Sequence, residues 1–252
     1  MAAESACVLV VDDLTDSLAA NVAGELRRHG VPVRHVLART LGLLDLHVDR
    51  DEVLIDGAQL AAVFFRAGPW TQYAEGFRAD DIGFASMEVS ATWLAITARP
   101  TIVAVNRPDA ELWTTRAEWA VWRRRLLAAG VPCVDLDVGA VDGPYSHWLP
   151  WGGGGVAQPP GSHSRRLFAS ALTNATSPRS AVWFAGRTFP DLPHPPELAD
   201  FFGRHGIALA GISTDDHGRI ALCTAHPQVD EPTARIVAPL IAERLVQRVA
   251  VA

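Results

Sequence analysis

The sequence predicts an α/β protein that opens on a Rossmann-like parallel sheet. Three observations predict it. Cys7-Val8-Leu9-Val10-Val11 is an unbroken apolar run, the pattern of a strand covered on both faces. Leu18, Val22 and Leu26 recur at helical spacing over residues 16–29, and Gly30 stops the helix. Val31-Pro32-Val33-Arg34-His35-Val36 then supplies a second strand after a short connection. Strand, helix and strand joined this tightly make a βαβ unit. No GxGxxG follows the first strand, so a dinucleotide site is not expected.

Further elements follow in order. Leu44, Leu46 and Val48 alternate with Asp45, His47 and Asp49, and Val53-Leu54-Ile55 pairs back, so residues 40–60 read as a β-meander. Ala62-Val63-Phe64-Phe65-Arg66 is the next strand. Glu88 to Thr97 reads as a helix with Val89, Trp93 and Ile96 on one face. Thr101 to Asn106 is a buried strand. Residues 109–129 form a helix rich in Trp and Arg, closed by Gly130-Val131-Pro132. The run Gly152 to Gly155 and Pro159-Pro160-Gly161 make 138–180 a long loop or linker. Order resumes with a strand at Ala181-Val182-Trp183-Phe184 and a helix over Glu197 to Arg204. A hairpin turns through Asp215-Asp216-His217-Gly218, and an amphipathic helix runs from Glu231 to Val249.

Composition removes several functions. The 252 residues carry 22 arginines and no lysine, so no Schiff-base or P-loop lysine exists. Arginine does not replace that chemistry, because it stays protonated and has a different geometry. A net charge of -6 argues against nucleic acid. Cys7, Cys133 and Cys223 are isolated and odd in number, which supports neither zinc nor a disulfide framework and fits a cytoplasmic protein. The start MAAESA does not read as a signal peptide, and no apolar run is long enough for a membrane span.

The order of these segments resembles the pre-grasp domain of ATP-grasp ligases, and most of all the peptide-modifying members of microviridin and related graspetide pathways. Three marks carry the resemblance across residues 7–132. They are the strand ending in Arg66, the helix opened by Glu88, and the turn Asn106-Arg107-Pro108 followed by a helix and Ala129-Gly130-Val131-Pro132. Leu198 to Leu245 is similar to the end of an ATP-grasp domain. The resemblance implies three parts: a pre-grasp-like domain over 1–132, a linker over 133–180, and a C-terminal remnant over 181–252. The fold class expected is α/β, with a truncated α+β C-terminal portion lacking most of the central lid domain.

Departures from the family decide the functional expectation. On that likeness Thr224 stands in place of the magnesium-binding glutamate and His226 in place of an asparagine. Magnesium wants hard oxygen ligands, which a threonine and a histidine supply poorly. The helix at 109–129 carries Arg116, Glu118 and Trp119 where the family has a lysine. The first reading is therefore a homologue without ATP-dependent ligation and without a cofactor. It would bind a peptide or a partner enzyme of a peptide-tailoring or natural-product pathway, with a homodimer as one arrangement. A second reading is an ATP-independent enzyme acting on a small molecule or peptide through Arg66, Glu88 and Asn106, with Glu88 as base. A third is a carboxylate–amine ligase that clamps phosphates with Arg116, Arg165 or Arg187.

Each candidate residue also has a structural reading. Arg66, at a strand's carboxyl end, could hold ligand or pair with Glu88. Asn106 and Arg107 could orient ligand or simply form the turn. Asp12 and Asp13 could bind a cation or the positive end of a peptide, whereas helix capping through Asp13 or Thr15 is the expected role. Asp215, Asp216 and His217 fit a tight turn better than a metal cluster. Trp148 and Trp151, in the glycine-rich stretch, suit a peptide surface. Trp119 and Trp122 share a helix face and are expected in a core or interface.

Overall fold

The computed structural model describes residues 6–12, 17–50, 52–66, 75–105, 119–139, 148–150, 169–172, 179–225 and 227–249. Strand β1 (Cys7–Asp12) is buried along its length, as its apolar run requires. Helix α1 (Leu18–Arg28) buries Leu18, Val22 and Leu26, and Gly30 ends it at φ 73°, where a side chain would be strained. Ser17 is its N-cap residue and makes no side-chain hydrogen bond to the helix backbone. Asp13 and Thr15, expected as caps, lie outside the described residues.

Strand β2 (Val33–Leu37) pairs with β1 in parallel. A 3-10 helix (Ala38–Leu43) leads to the antiparallel strands β3 (Leu46–Val48) and β4 (Val53–Ile55). Asp56 and Gly57 both take positive φ, 49° and 79°, in the tight turn into β5 (Ala58–Arg66). Strand β5 pairs in parallel with β1 and with β6 (Val103–Val105), giving the parallel order β2-β1-β5-β6 with β4 and β3 added beside β5. Helix α2 (Ile82–Thr97) begins six residues before Glu88, so Glu88 lies in its second turn. Trp93 and Ile96 pack it against Leu9, Val11, Val63 and Phe65 on one face of the sheet.

The second half is built on antiparallel strands. Helix α3 (Trp119–Ala128) precedes β7 (Leu136–Gly139), β8 (Trp148–Pro150) and β9 (Ala169–Leu172). These three form a small antiparallel sheet in the order β7-β9-β8. Residues 138–180 are therefore not all loop. Short strands flanked by glycine and proline carry too little apolar alternation to be read from sequence. Strand β10 (Arg179–Phe184) turns into β11 (Arg187–Phe189), and α4 (Glu197–Arg204) follows. Strands β12 (Leu209–Thr214) and β13 (Ile220–Thr224) make the predicted hairpin, and α5 (Glu231–Val249) matches its expected span. The sheet order is β11-β10-β12-β13.

Helices cross between the halves. Val237, Ile241 and Leu245 of α5 pack with Leu18, Val22 and Leu26 of α1 and with Val10 and Phe64 of the parallel sheet. Trp122 and Leu126 of α3 pack in the other direction, with Trp183, Phe201 and Phe202. Trp122 is thus core, as its helix face predicts. Each sheet is covered by a helix from the other half of the chain. Among the described residues no helix is long and apolar enough to cross a membrane.

Candidate functional site

Side chains alternate along a strand, so β1 presents Val8, Val10 and Asp12 to one face and Leu9 and Val11 to the other. Asp12 and Arg66 are partners in the β1–β5 register and share the first face, at the carboxyl end of the parallel strands. Open α/β sheets bind ligands at this end. His35 of β2 joins them, its Nε2 lying 3.2 Å from Asp12 Oδ2. Arg66 Nη2 donates to the carbonyl of Pro227 at 2.7 Å. That bond ties the end of the parallel sheet to the segment entering α5.

Pro227 leads onto the antiparallel sheet. A Cβ at Gly211 would stand 3.0 Å from both Pro227 Cβ and Thr224 Cγ2, so glycine lets the strand, Thr224 and Pro227 approach this closely without displacement. Gly211 pairs with Thr224, and Ser213 with Leu222, across β12 and β13. Ser180 of β10 pairs with Ser213, and their hydroxyl oxygens are 2.7 Å apart. Ala181, Ile212 and Cys223 point the other way, into the core under α3 and α4. Sequence alternation alone therefore puts hydroxyls and a glycine on the face that meets Pro227. Glu231, in the first turn of α5, lies within hydrogen-bond reach of Ser17, the N-cap residue of α1. Hydrogen bonds from Ser17 and then Arg235 hold its carboxyl below the usual range.

Of the residues singled out from sequence, Asp12 and Arg66 come together. Glu88 does not join them. It is exposed on α2, which covers the opposite face of the sheet from Arg66, and no ion pair between the two is found among the described residues. Asn106, Arg107, Trp151 and His226 lie outside the described residues, as do Arg116 and Arg165. Trp148 is in β8, with its side chain outside them. Arg187 sits on the β10–β11 hairpin with its guanidinium 5.3 Å from the Phe189 ring centre.

Asp215 follows the turn reading. Its carboxylate accepts from the backbone N–H of His217 and Arg219 and from Arg219 Nε at 2.8 Å. Burial pushes its carboxyl up, but these bonds outweigh burial and hold it below the ordinary range. The cysteines are buried, and burial raises their thiols, Cys133 to about 11, so they are poor nucleophiles. Sequence reasoning missed His35, Gly211, Pro227, Ser180 and Ser213. Nothing in their spacing links residues so far apart in the chain. Only the glycine within a strand run, Gly211, marks a close backbone approach.

No protein-family profile matches the sequence, and no curated protein does. Solved structures do match. One is the ATP-grasp ligase PsnB complexed with precursor peptide PsnA2 and AMPPNP, 14% identical, with a TM-score of 0.68 over 99% of both chains. Another is the macrocyclase MdnC bound with precursor peptide MdnA from Microcystis aeruginosa, 10% identical, with a TM-score of 0.65 over 96% of this chain and 99% of that one. A third is a Chryseobacterium gregarium RiPP-associated ATP-grasp ligase in complex with ADP and a leader and core peptide. It is 8% identical, with a TM-score of 0.63 over 96% of this chain and 97% of that one. Likeness at such low identity is one of architecture, and it confirms the α/β arrangement read from the strand order. The chain has the fold of the ATP-grasp ligases.

Proposed function

We propose that this chain binds a peptide at the join between its two sheets, within a peptide-tailoring pathway, and does not itself carry out ATP-dependent ligation. The observation that carries the reading is the position of Thr224. It turns its Cγ2 methyl toward Gly211, close to Pro227, where the family resemblance puts a magnesium-binding glutamate. A threonine offers one neutral hydroxyl, and magnesium favours carboxylate and phosphate oxygens. The same face carries Ser180 and Ser213, whose hydroxyls bond to each other.

Peptide binding draws support from two sides. Solved structures of the same fold are complexes with precursor peptides or with a leader and core peptide. The join itself combines a paired carboxylate and imidazole with an arginine, beside backbone and hydroxyl groups of an antiparallel sheet. Such groups recognise peptide amides and charged side chains.

Calorimetric titration with magnesium and ATP tests the first half. No binding at millimolar ATP is expected, and micromolar binding would overturn it. Selection from a displayed peptide library tests the second. Arg66→Ala should lose the selected peptides by on the order of tenfold or more, from the lost charge-assisted bonds. Peptides that bind the variant equally well would place the site elsewhere.

A further inference from the structure

We propose that the outer edge of β2 takes an extended acidic peptide segment as an added strand. This surface is separate from the join between the sheets, because it is the side of β2 turned away from β1. Among the described residues β2 ends the parallel sheet and pairs with β1 alone.

The ladder decides which groups face outward. Val8 N–H donates to the Pro32 carbonyl, and Val8 is the register partner of Val33. Along such a strand the backbone groups of successive residues turn alternately to one side and the other. Pro32, Arg34 and Val36 therefore turn theirs to β1, and Val33, His35 and Leu37 turn theirs outward. A row of outward N–H and C=O groups is a template for another strand. The Leu37 carbonyl already accepts from Thr40 Oγ1 at 2.8 Å, so the template runs from Val33 to the Leu37 N–H.

Other edges of the two larger sheets are shorter or covered. Strands β3, β6 and β11 have three residues each. Strand β13 has five, but Ile220 N–H donates to the Pro132 carbonyl and the Ile220 carbonyl accepts from Val134 N–H, so the segment before β7 covers its start. Strand β2 has five residues, no proline and no such cover among the described residues.

Side chains along the edge select the occupant. Arg27, Arg28, Arg34 and Arg39 are all exposed, with His29 and His35 among them. Residues 27–39 hold no aspartate or glutamate, in a chain of net charge -6. Glu25, Asp56 and Glu75 reach Arg28, Arg34 and Arg39 from outside the segment. Ion pairs this exposed contribute little, so a carboxylate on an added strand competes for the same guanidinium groups. A second β2 in that place would set arginine beside arginine, which like charge disfavours. Alternation also sets the pattern of the partner. Arg34 shares the face of Leu9, under α2, and a neighbouring side chain there meets it best as a carboxylate. Val33 shares the face of Val8 and packs on the core under α1, which an apolar neighbour extends.

Fluorescence anisotropy of a labelled peptide alternating glutamate with valine tests this on the full chain. Saturable binding is expected. The same peptide with lysine for glutamate should bind at least about tenfold more weakly. Leu37→Pro removes an outward N–H and nothing from the β1 ladder, and Leu37 already has φ -77°, near the value that proline imposes. It should weaken binding about tenfold. Arg34→Glu should reverse the preference, so that the lysine peptide binds the better. Circular dichroism confirms that each variant folds. Methylating every second backbone nitrogen of the glutamate peptide needs no variant: one phase should abolish binding and the other should spare it. A glutamate peptide that does not bind at millimolar concentration overturns the proposal. So does a lysine peptide of equal affinity, a folded Leu37→Pro that binds undiminished, or methylation that acts alike in both phases.

Discussion

The parallel sheet brings ionic side chains to the join between the sheets, and the antiparallel sheet brings hydroxyls and a glycine. Asp12, His35 and Arg66 cluster at the carboxyl end of β1, β2 and β5. Ser180, Ser213, Gly211 and Thr224 share the facing surface of β10, β12 and β13. Parallel strands all end at one edge, so charge placed after each run converges there. Antiparallel strands end alternately, so a site on them must be built from the face, where alternation admits only every second residue. The charge that could recognise a ligand therefore sits on one sheet. The close approach of Gly211 to Thr224 and Pro227 sits on the other.

Crosswise helices make the two sheets depend on each other, and this is the claim with the largest expected effect. Phe202→Ala, in the core under the antiparallel sheet, should cost about 3–5 kcal/mol. Ile241→Ala, in α5 beneath the parallel sheet, should cost about 2–5 kcal/mol. Denaturant unfolding followed by fluorescence and by circular dichroism should show one transition for both variants. Two separate transitions would break the comparison, because each sheet would then unfold by itself.

Removing the tie between the sheets comes next. Arg66→Ala should cost about 1.5–3 kcal/mol in the same titration, from the charge-assisted bond to Pro227. Gln at this position keeps a donor and should recover part of that loss.

The hairpin of the antiparallel sheet gives a pH-dependent test. Asp215 has a folded pKa below its unfolded value, which is about 4. Its contribution is therefore fully present above the unfolded value and is lost as pH falls through the folded one. Asp215→Asn should lower the melting temperature at neutral pH and flatten its dependence below about pH 4. An unchanged acid limb would remove Asp215 from the account.

Smallest is the β10–β11 turn. Ala185 takes φ 47° before Gly186, a left-handed conformation that costs a residue with a Cβ. Ala185→Asn should stabilise the protein by about 0.5–1 kcal/mol, read as a small rise in melting temperature.

Much of the fold was legible in the residues. The continuous run at Cys7–Val11, the spacing of Leu18, Val22 and Leu26, and Gly30 led to the opening βαβ unit. The Asp215–Gly218 turn led to the β12–β13 hairpin. Each is a local pattern whose cause lies within a few residues. Strands β7 to β9 were not legible, because three- and four-residue strands among glycines and prolines show no period. Helix α2 starts before its expected first turn because Gly83 and Ser86 weaken the sequence signal, while its buried side holds Ala85, Trp93 and Ile96.

The candidate site divides along the same line. By itself the sequence determined where strands end, and so placed Asp12 and Arg66 at a carboxyl edge. It also determined the chemistry that is missing, since a chain without lysine cannot hold a phosphate with one. Only the tertiary structure decided that His35 reaches Asp12, that Arg66 bonds to Pro227, and that Glu88 faces outward on the far side of the sheet. Contacts between residues 23 positions apart, as His35 and Asp12, or 161 apart, as Arg66 and Pro227, arise from how sheets and helices pair and stack. Local spacing carries no record of that stacking, because a strand's period fixes which face a side chain takes but not what will cover it.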